Sequence, residues 1–426
     1  MSEIQNFRIF EERKFKEQYS YLNTKENQSN LEDLKKKKDS YKNKEISQVE
    51  LKKLQFDNKS LYFIKILQII RTEKKKVHLL VEDLSSTLEV VYYKKNDNDL
   101  PFIESAYFNM RLEHKIRKGN LETIVLEYKP IGYNNQIKRK KGPFVYGALI
   151  SDVHVGSIYF MKDKFINFLK YLNKAKEVKY LFIAGDLIDG IGVYPEQEKN
   201  LYEKNAYAQY DEVRRLFEEN ISREDLKVYF SPGNHDFLSL FEPQVISQEI
   251  KKRLPKDWIN IENPAYQTIE GKRVLFYHGR SVDNLIMAKT PYLSYEKMER
   301  VYHYIFSQRN LSPTVKGSRL DFRRSTGMIS EIPDIFLTGH VHKWCSVIQN
   351  GVLFCNSGCW QYETEYQKNL DIHAVKGIVQ FINLTDPLEK HYKIDFNKDF
   401  KEGKEYKEEY KLQPKNIRYL EDEIEE

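Results

Sequence analysis

Between residues 60 and 126, short runs of branched and aromatic residues recur at 60–70, 77–81, 87–93, 103–110 and 121–126, with polar turns such as Glu82-Asp83 and Ser85-Ser86 between them. Five short strands in so little chain predict a small closed or half-closed β-barrel. The OB-fold is the commonest nucleic-acid-associated barrel of that kind, but such a barrel serves equally well as a packing surface for a partner. Beyond the basic linker Lys138-Arg-Lys-Lys-Gly142 the pattern changes. Apolar strands now alternate with stretches whose apolar residues recur every three or four positions, as at Met161, Phe165, Phe168, Leu169 and Leu172, and at Ala206, Tyr210, Val213 and Phe217. That alternation predicts an α/β domain on a central sheet. The expected division is a lysine-rich, partly disordered tail (1–55), the barrel (56–130), the α/β domain (143–393) and a charged C-terminal extension (394–426).

Composition narrows this little. Lys and Arg total 69 against 63 Asp and Glu, a formal net charge of +6, which permits nucleic-acid binding without arguing strongly for it. The Lys35–Lys38 block reads as a solvated arm rather than a dedicated contact. Cys345, Cys355 and Cys359 form no disulfide framework and read as buried thiols in a reducing compartment. The start of the chain has no apolar stretch behind a basic one, and no run approaches the roughly 18 apolar residues of a membrane span. A soluble, cytoplasmic protein with no membrane partner is expected. The segment from Gln48 to Gln55 begins like a sliding-clamp motif but lacks its paired aromatics.

The chemistry lies at the strand ends. Strand 144–150 runs into Ser151-Asp152-Val-His154, 180–184 into Gly185-Asp186, and 227–230 into Ser231-Pro-Gly-Asn234-His235-Asp236. Strand 273–277 runs into His278-Gly279, and 334–338 into Gly339-His340-Val-His342. Strand ends are where α/β sheets carry their sites. Asp152, His154, Asp186, Asn234, His278, His340 and His342 supply carboxylate, amide and imidazole donors with no thiol. That mixture suits two adjacent divalent ions, manganese first, with iron, zinc or magnesium also compatible. A lone Asp-x-His is a weak signal, whereas Gly-Asn-His-Asp followed by Gly-His-x-His is strong. His78, His114, His303, His373 and His391 fit no such pattern and read as structural.

In that order, these motifs resemble the series of the calcineurin-like phosphoesterases. The flanking text, including Ala184-Gly-Asp-Leu-Ile-Asp-Gly-Ile-Gly-Val-Tyr-Pro195, Asn263-Pro-Ala265 and Asn356-Ser-Gly-Cys-Trp-Gln361, is similar to the small subunit of archaeal D-family DNA polymerase. The resemblance covers residues 143–393 and implies an α/β phosphoesterase sandwich, preceded here by an OB-fold-like barrel and a flexible tail. It implies one metal on Asp152, His154, Asp186 and His342, and a second on Asp186, Asn234, His278 and His340, with Asp186 bridging. It gives His235 the role of general acid and Asp236 that of orienting it. It implies a metal-dependent 3′–5′ exonuclease acting on DNA 3′ ends, partnered by a large polymerase subunit and, through that complex, a sliding clamp. Asn284, after Asp283, stands where that family suggests a second acid. Two other readings stay open at this point: a stand-alone phosphodiesterase or repair nuclease, and a scaffold subunit with little activity.

Overall fold

The computed structural model describes residues 49–54, 60–95, 100–117, 120–236, 244–287, 290–312, 327–369, 373–398 and 407–415. Most of the expected N-terminal tail, and the acidic end of the chain, lie outside the described residues.

The first strands are β1 (Leu61–Glu73), β2 (Lys76–Glu82), β3 (Thr87–Tyr93), β4 (Tyr107–Arg117) and β5 (Asn120–Lys129). They close into a barrel in the order β1-β2-β3-β5-β4, antiparallel except for a parallel β3–β5 pairing. The fourth strand starts later than the 103–110 run suggests. Ile103 is buried in a turn closed by an N–H from Ala106 (3.0 Å), and the strand continues through charged residues to Arg117.

Residues beyond the linker form β6 (Tyr146–Ile150), helix α1 (Lys162–Lys174), β7 (Val178–Ala184), helix α2 (Ala206–Asn220), β8 (Lys227–Ser231), β9 (Ile259–Asn260), β10 (Ala265–Ile269) and β11 (Lys272–Phe276). Helix α3 (Met298–Ser307), β12 (Ile335–Thr338), β13 (Trp344–Gln349), β14 (Val352–Ser357), β15 (Ile378–Asn383), β16 (His391–Asp395) and β17 (Lys407–Tyr410) follow. The Asn205 side chain caps α2 by accepting from the N–H groups of Tyr207 and Ala208. Two sheets result, β17-β16-β15-β6-β7-β8-β9 and β10-β11-β12-β14-β13. The sheet does not stop at residue 393, because β17 pairs with β16 in the expected extension.

Strand periodicity sorts the layers. Leu149, Phe182 and Ala184 on one sheet meet Val274, Phe276, Ile335, Leu337, Leu353 and Cys355 on the other, making the core between the sheets. The alternate residues Ala148, Ile150, Leu181 and Ile183 pack with Phe165, Phe168, Leu172, Tyr210 and Phe217 of α1 and α2. On the far side Leu275, Phe336 and Phe354 share a core with α3 and with barrel residues such as Tyr62 and Phe108. The barrel is fastened there by Tyr107 N–H donating to Gln308 Oε1 (2.8 Å) and the Tyr304 hydroxyl donating to the Pro101 carbonyl (3.2 Å). No helix among the described residues is long and apolar enough to cross a membrane.

Candidate metal centre

β6, β7 and β8 are parallel neighbours in one sheet, and β11 and β12 in the other. Their C-terminal ends therefore deliver Asp152, Asp186, Asn234, His278, His340 and His342 to adjoining turns. Five of the seven ligand candidates hold left-handed backbone angles: Asp152 (φ 53°), His154 (56°), Asp186 (53°), His340 (69°) and His342 (52°). Such conformations cost non-glycine residues on the order of 1–3 kcal/mol each and persist only where the surroundings enforce them. The glycines between them are needed for space. A Cβ on Gly185 would lie 2.3 Å from His278 Nδ1, and one on Gly233 would lie 2.2 Å from Asp186 Oδ1.

The predicted Asp and His ligands fall into two donor groups, beside a third made of His154, Asp189 and His235. Asp152, His154 and His342 form one and Asp186, His278 and His340 the other, each with its ligand atoms within 4.8 Å of one another. His342 Nε2 lies 3.3 Å from Asp152 Oδ1 and 3.2 Å from His154 Nε2. His278 Nε2 lies 3.0 Å from Asp186 Oδ2. The Asp152 carboxylate also accepts the His340 backbone N–H (2.9 Å), which ties the groups together.

Each imidazole is held from behind. His278 Nδ1 bonds the Ala184 carbonyl (2.8 Å), and the His278 backbone N–H donates to Asn263 Oδ1 (2.8 Å). His154 Nδ1 lies 2.9 Å from Asp189 Oδ1, His340 Nε2 is 2.9 Å from Asp283 Oδ2, and His342 Nδ1 is 2.6 Å from Gln367 Nε2. Such partners fix ring orientation in metal sites. Sequence reading assigned no role to Asp189, Asp283 or Gln367. Asp189 stands three residues after Asp186 inside the quoted family segment, so its signal was available. Asp283 and Gln367 carry no motif.

Asp236 is expected to orient His235, but its carboxylate is occupied elsewhere. It accepts the backbone N–H groups of Gly233 (2.6 Å), Asp186 (2.8 Å), Leu187 (3.0 Å) and Ile188 (3.3 Å). The His235 ring is held by the Asp189 carbonyl at Nδ1 (2.8 Å), and its backbone N–H donates to Asp186 Oδ1 (2.8 Å). Asp236 thus shapes the turn carrying Asp186, while Asp189 serves His235 through its carbonyl and His154 through its carboxylate.

The electrostatics fit a cation. Burial raises the Asp186 carboxyl, but the charges of His278 and His235 overcome it and hold it well below the usual range. Burial opposes the charged form of His278, and the Asp186 carboxylate outweighs it, pushing the ring up to about 10. Burial and the Asp186 charge push Asp236 up to about 7. A bound cation takes the place of protons held in this way. Asn234 Oδ1 is buried with no hydrogen-bond partner among the described residues, a cost that a metal ligand does not bear. Oxygen and imidazole donors with an unspent amide oxygen fit divalent metal ions of the hard-to-borderline kind.

Residues 148–344 match the calcineurin-like phosphoesterase family. The chain is 38% identical over 270 residues to the DNA polymerase II small subunit of Archaeoglobus fulgidus, covering 60% of this chain and 54% of that one. It is 39% identical over 253 residues to the DNA polymerase II small subunit of Methanothermobacter thermautotrophicus, covering 55% of this chain and 52% of that one. It therefore spans about half the length of these relatives. Among solved structures, Vps29 from Cryptosporidium parvum is 16% identical with a TM-score of 0.31, covering 63% of this chain and 100% of that one. The strand-end turns described above fall within or beside the matched phosphoesterase segment, from Asp152 to His342.

Proposed function

We propose that this chain is the small subunit of a D-family DNA polymerase of the archaeal type, and that its phosphoesterase domain is a two-metal 3′–5′ exodeoxyribonuclease. The observation that carries the reading is the pair of donor groups Asp152–His154–His342 and Asp186–His278–His340, with Asn234 Oδ1 buried and unspent at the end of the neighbouring β8, in a region similar to named polymerase small subunits. Asp152, His154, Asp186 and His342 would hold one ion, and Asp186, Asn234, His278 and His340 the other, with manganese the favoured metal. When bound, such a pair supplies Lewis acidity toward a phosphodiester and an activated water for in-line attack.

The chain's own residues do the rest. His235 donates a proton to the departing 3′ oxygen of the penultimate nucleotide. Asp189 orients it through its carbonyl, and Asp236 keeps the turn that presents Asp186. The barrel is read as an OB-fold, supported by the strand order and the parallel β3–β5 pairing. In this reading the barrel and one flank of the phosphoesterase domain dock a large polymerase subunit.

The test is hydrolysis of a 3′-tailed oligonucleotide by the purified chain with manganese, beside co-purification with a candidate large subunit. Stepwise loss of 3′ nucleotides and a stable complex are expected. Turnover without any complex would favour a stand-alone phosphodiesterase, and a complex without turnover a scaffold.

A further inference from the structure

Three loops beside His235 are stitched to one another. Ile158 N–H donates to the Asn200 carbonyl (2.8 Å), Tyr202 N–H to the Gly156 carbonyl (2.9 Å) and Tyr362 N–H to the Tyr159 carbonyl (2.9 Å). Gln361 Nε2 joins Ser157 Oγ (2.9 Å) to Asp189 Oδ1 (3.3 Å), and Gln197 Nε2 bonds the Asp189 carbonyl (2.7 Å) while its Oε1 accepts Val193 N–H (2.9 Å). The loops are tied together in this way, yet they leave apolar and aromatic side chains exposed or only partly covered. Tyr362 is 47% and Ile158 54% exposed, and Tyr159 and Tyr194 are half-buried. The Tyr194 ring lies 6.2 Å from that of His235, and Tyr159 is close enough to Tyr194 for their hydroxyls to interact electrostatically.

Full burial would have been favourable for such side chains, yet Tyr362 and Ile158 stay exposed and Tyr159 and Tyr194 only partly covered. The loop of Tyr194 carries Glu196, Glu198 and Glu203 beside Lys199 and Lys204, with Lys199 paired to Glu196 (2.7 Å), so its charges are largely balanced. Aromatic faces suit stacked bases, because every base has a π-face. We infer that Tyr194, Tyr159 and Tyr362 form a stacking track for the unpaired 3′ end of a DNA strand.

The direction of the strand follows from the acid. The inference rests on the exonuclease reading, in which His235 protonates the oxygen that stays with the retained strand. The nucleotide beside His235 is then the penultimate one. Tyr194 stacks on its base, and Tyr159 and Tyr362 receive bases further from the end. The nucleotide being released lies on the opposite side of the scissile phosphate. A paired end offers no free base faces, so the track favours frayed or mispaired ends.

The experiment uses the full chain in EDTA, so that binding is read without turnover. The probe is a single-stranded oligonucleotide with 2-aminopurine at the penultimate 3′ position. Wild type and Tyr194→Phe quench its fluorescence, and Tyr194→Ala does not. By anisotropy, Tyr159→Ala with Tyr362→Ala weakens binding about thirtyfold or more, the loss expected for two base–aromatic stacks, and the paired Phe substitutions restore it. Equal quenching by Tyr194→Ala, or binding by the double Ala chain within about twofold of wild type, overturns the track. Hydrolysis of bis(p-nitrophenyl) phosphate by the manganese-loaded wild type is measured in parallel. Its absence sinks the phosphodiesterase reading, while the fluorescence still judges the tyrosines.

Discussion

In the barrel, Lys65 lies 4.0 Å from Glu82 with each side chain 2% exposed, and His114 Nδ1 bonds Thr123 Oγ1 (2.9 Å). At the metal centre, Asp152, His154, Asp186 and His278 are buried as thoroughly. Buried charge therefore does not separate the two regions, but backbone conformation does. Lys65, Glu82 and His114 of the barrel lie on extended strands, where an inward side chain needs no unusual angle. At the candidate metal centre Asp152, His154 and Asp186 sit on left-handed turns at strand ends, as do His340 and His342. Left-handed residues elsewhere, such as Glu270 before Gly271 and Asn350 before Gly351, belong to turns between antiparallel strands. Burial together with left-handed backbone and convergent donors marks chemistry here, and burial alone marks packing.

The sharpest way to break that contrast is to remove the metals. Chelation should abolish hydrolysis, and Asp186→Ala should abolish both metal binding and hydrolysis, because the two proposed ligand sets share its carboxylate. Elemental analysis and a turnover assay check this together. Turnover surviving exhaustive chelation would remove the two-metal reading altogether.

Next in size is His235→Ala. It should retain both ions and lose roughly 10²–10⁴-fold in turnover, the range of a general acid. Loss of metal in that variant would instead make His235 part of the scaffold of the site.

Asp236→Ala should show itself chiefly in stability. Its carboxylate accepts four buried backbone N–H groups, and leaving them unmatched should cost about 3 kcal/mol or more. Denaturant unfolding measures that cost. A variant as stable as wild type but deficient in turnover would return Asp236 to an orienting role.

The sequence made some of this contrast visible. Asp152, His154, Asp186, Asn234, His278, His340 and His342 each stand in a short motif after an apolar run, and their convergence follows from parallel strands ending on one edge. The supporting groups were less visible, because their function depends on approach in space. Asp283 meets His340 across 57 positions and Gln367 meets His342 across 25, with no local pattern at either end. Asp236 was misread because motif membership says nothing about where a carboxylate points. The β13–β14 hairpin went unread although Asn350-Gly351 is a strong turn signal between two apolar runs. The start of β4 was set too early because an apolar residue, Ile103, fills a turn.

The finest test uses a carboxylate in the barrel that does the same mechanical work as Asp236 without the chemistry. Asp83 Oδ1 accepts the N–H groups of Ser85 (2.7 Å) and Ser86 (2.9 Å) and the Ser85 hydroxyl (2.7 Å), while Oδ2 accepts Leu51 N–H (2.6 Å). It closes the β2–β3 turn and anchors the short helix Leu51–Lys53, whose Leu51 is buried against the barrel core. The turn can relax toward water, so the loss should resemble that of a capping residue. Asp83→Ala should therefore cost about 1–2 kcal/mol in denaturant unfolding. Turnover with manganese should stay at the wild-type level, since no group that Asp83 holds touches the metal centre. If turnover falls while stability is retained, the barrel and the metal centre are coupled through their shared core, and barrel burial would have to count as part of the chemistry.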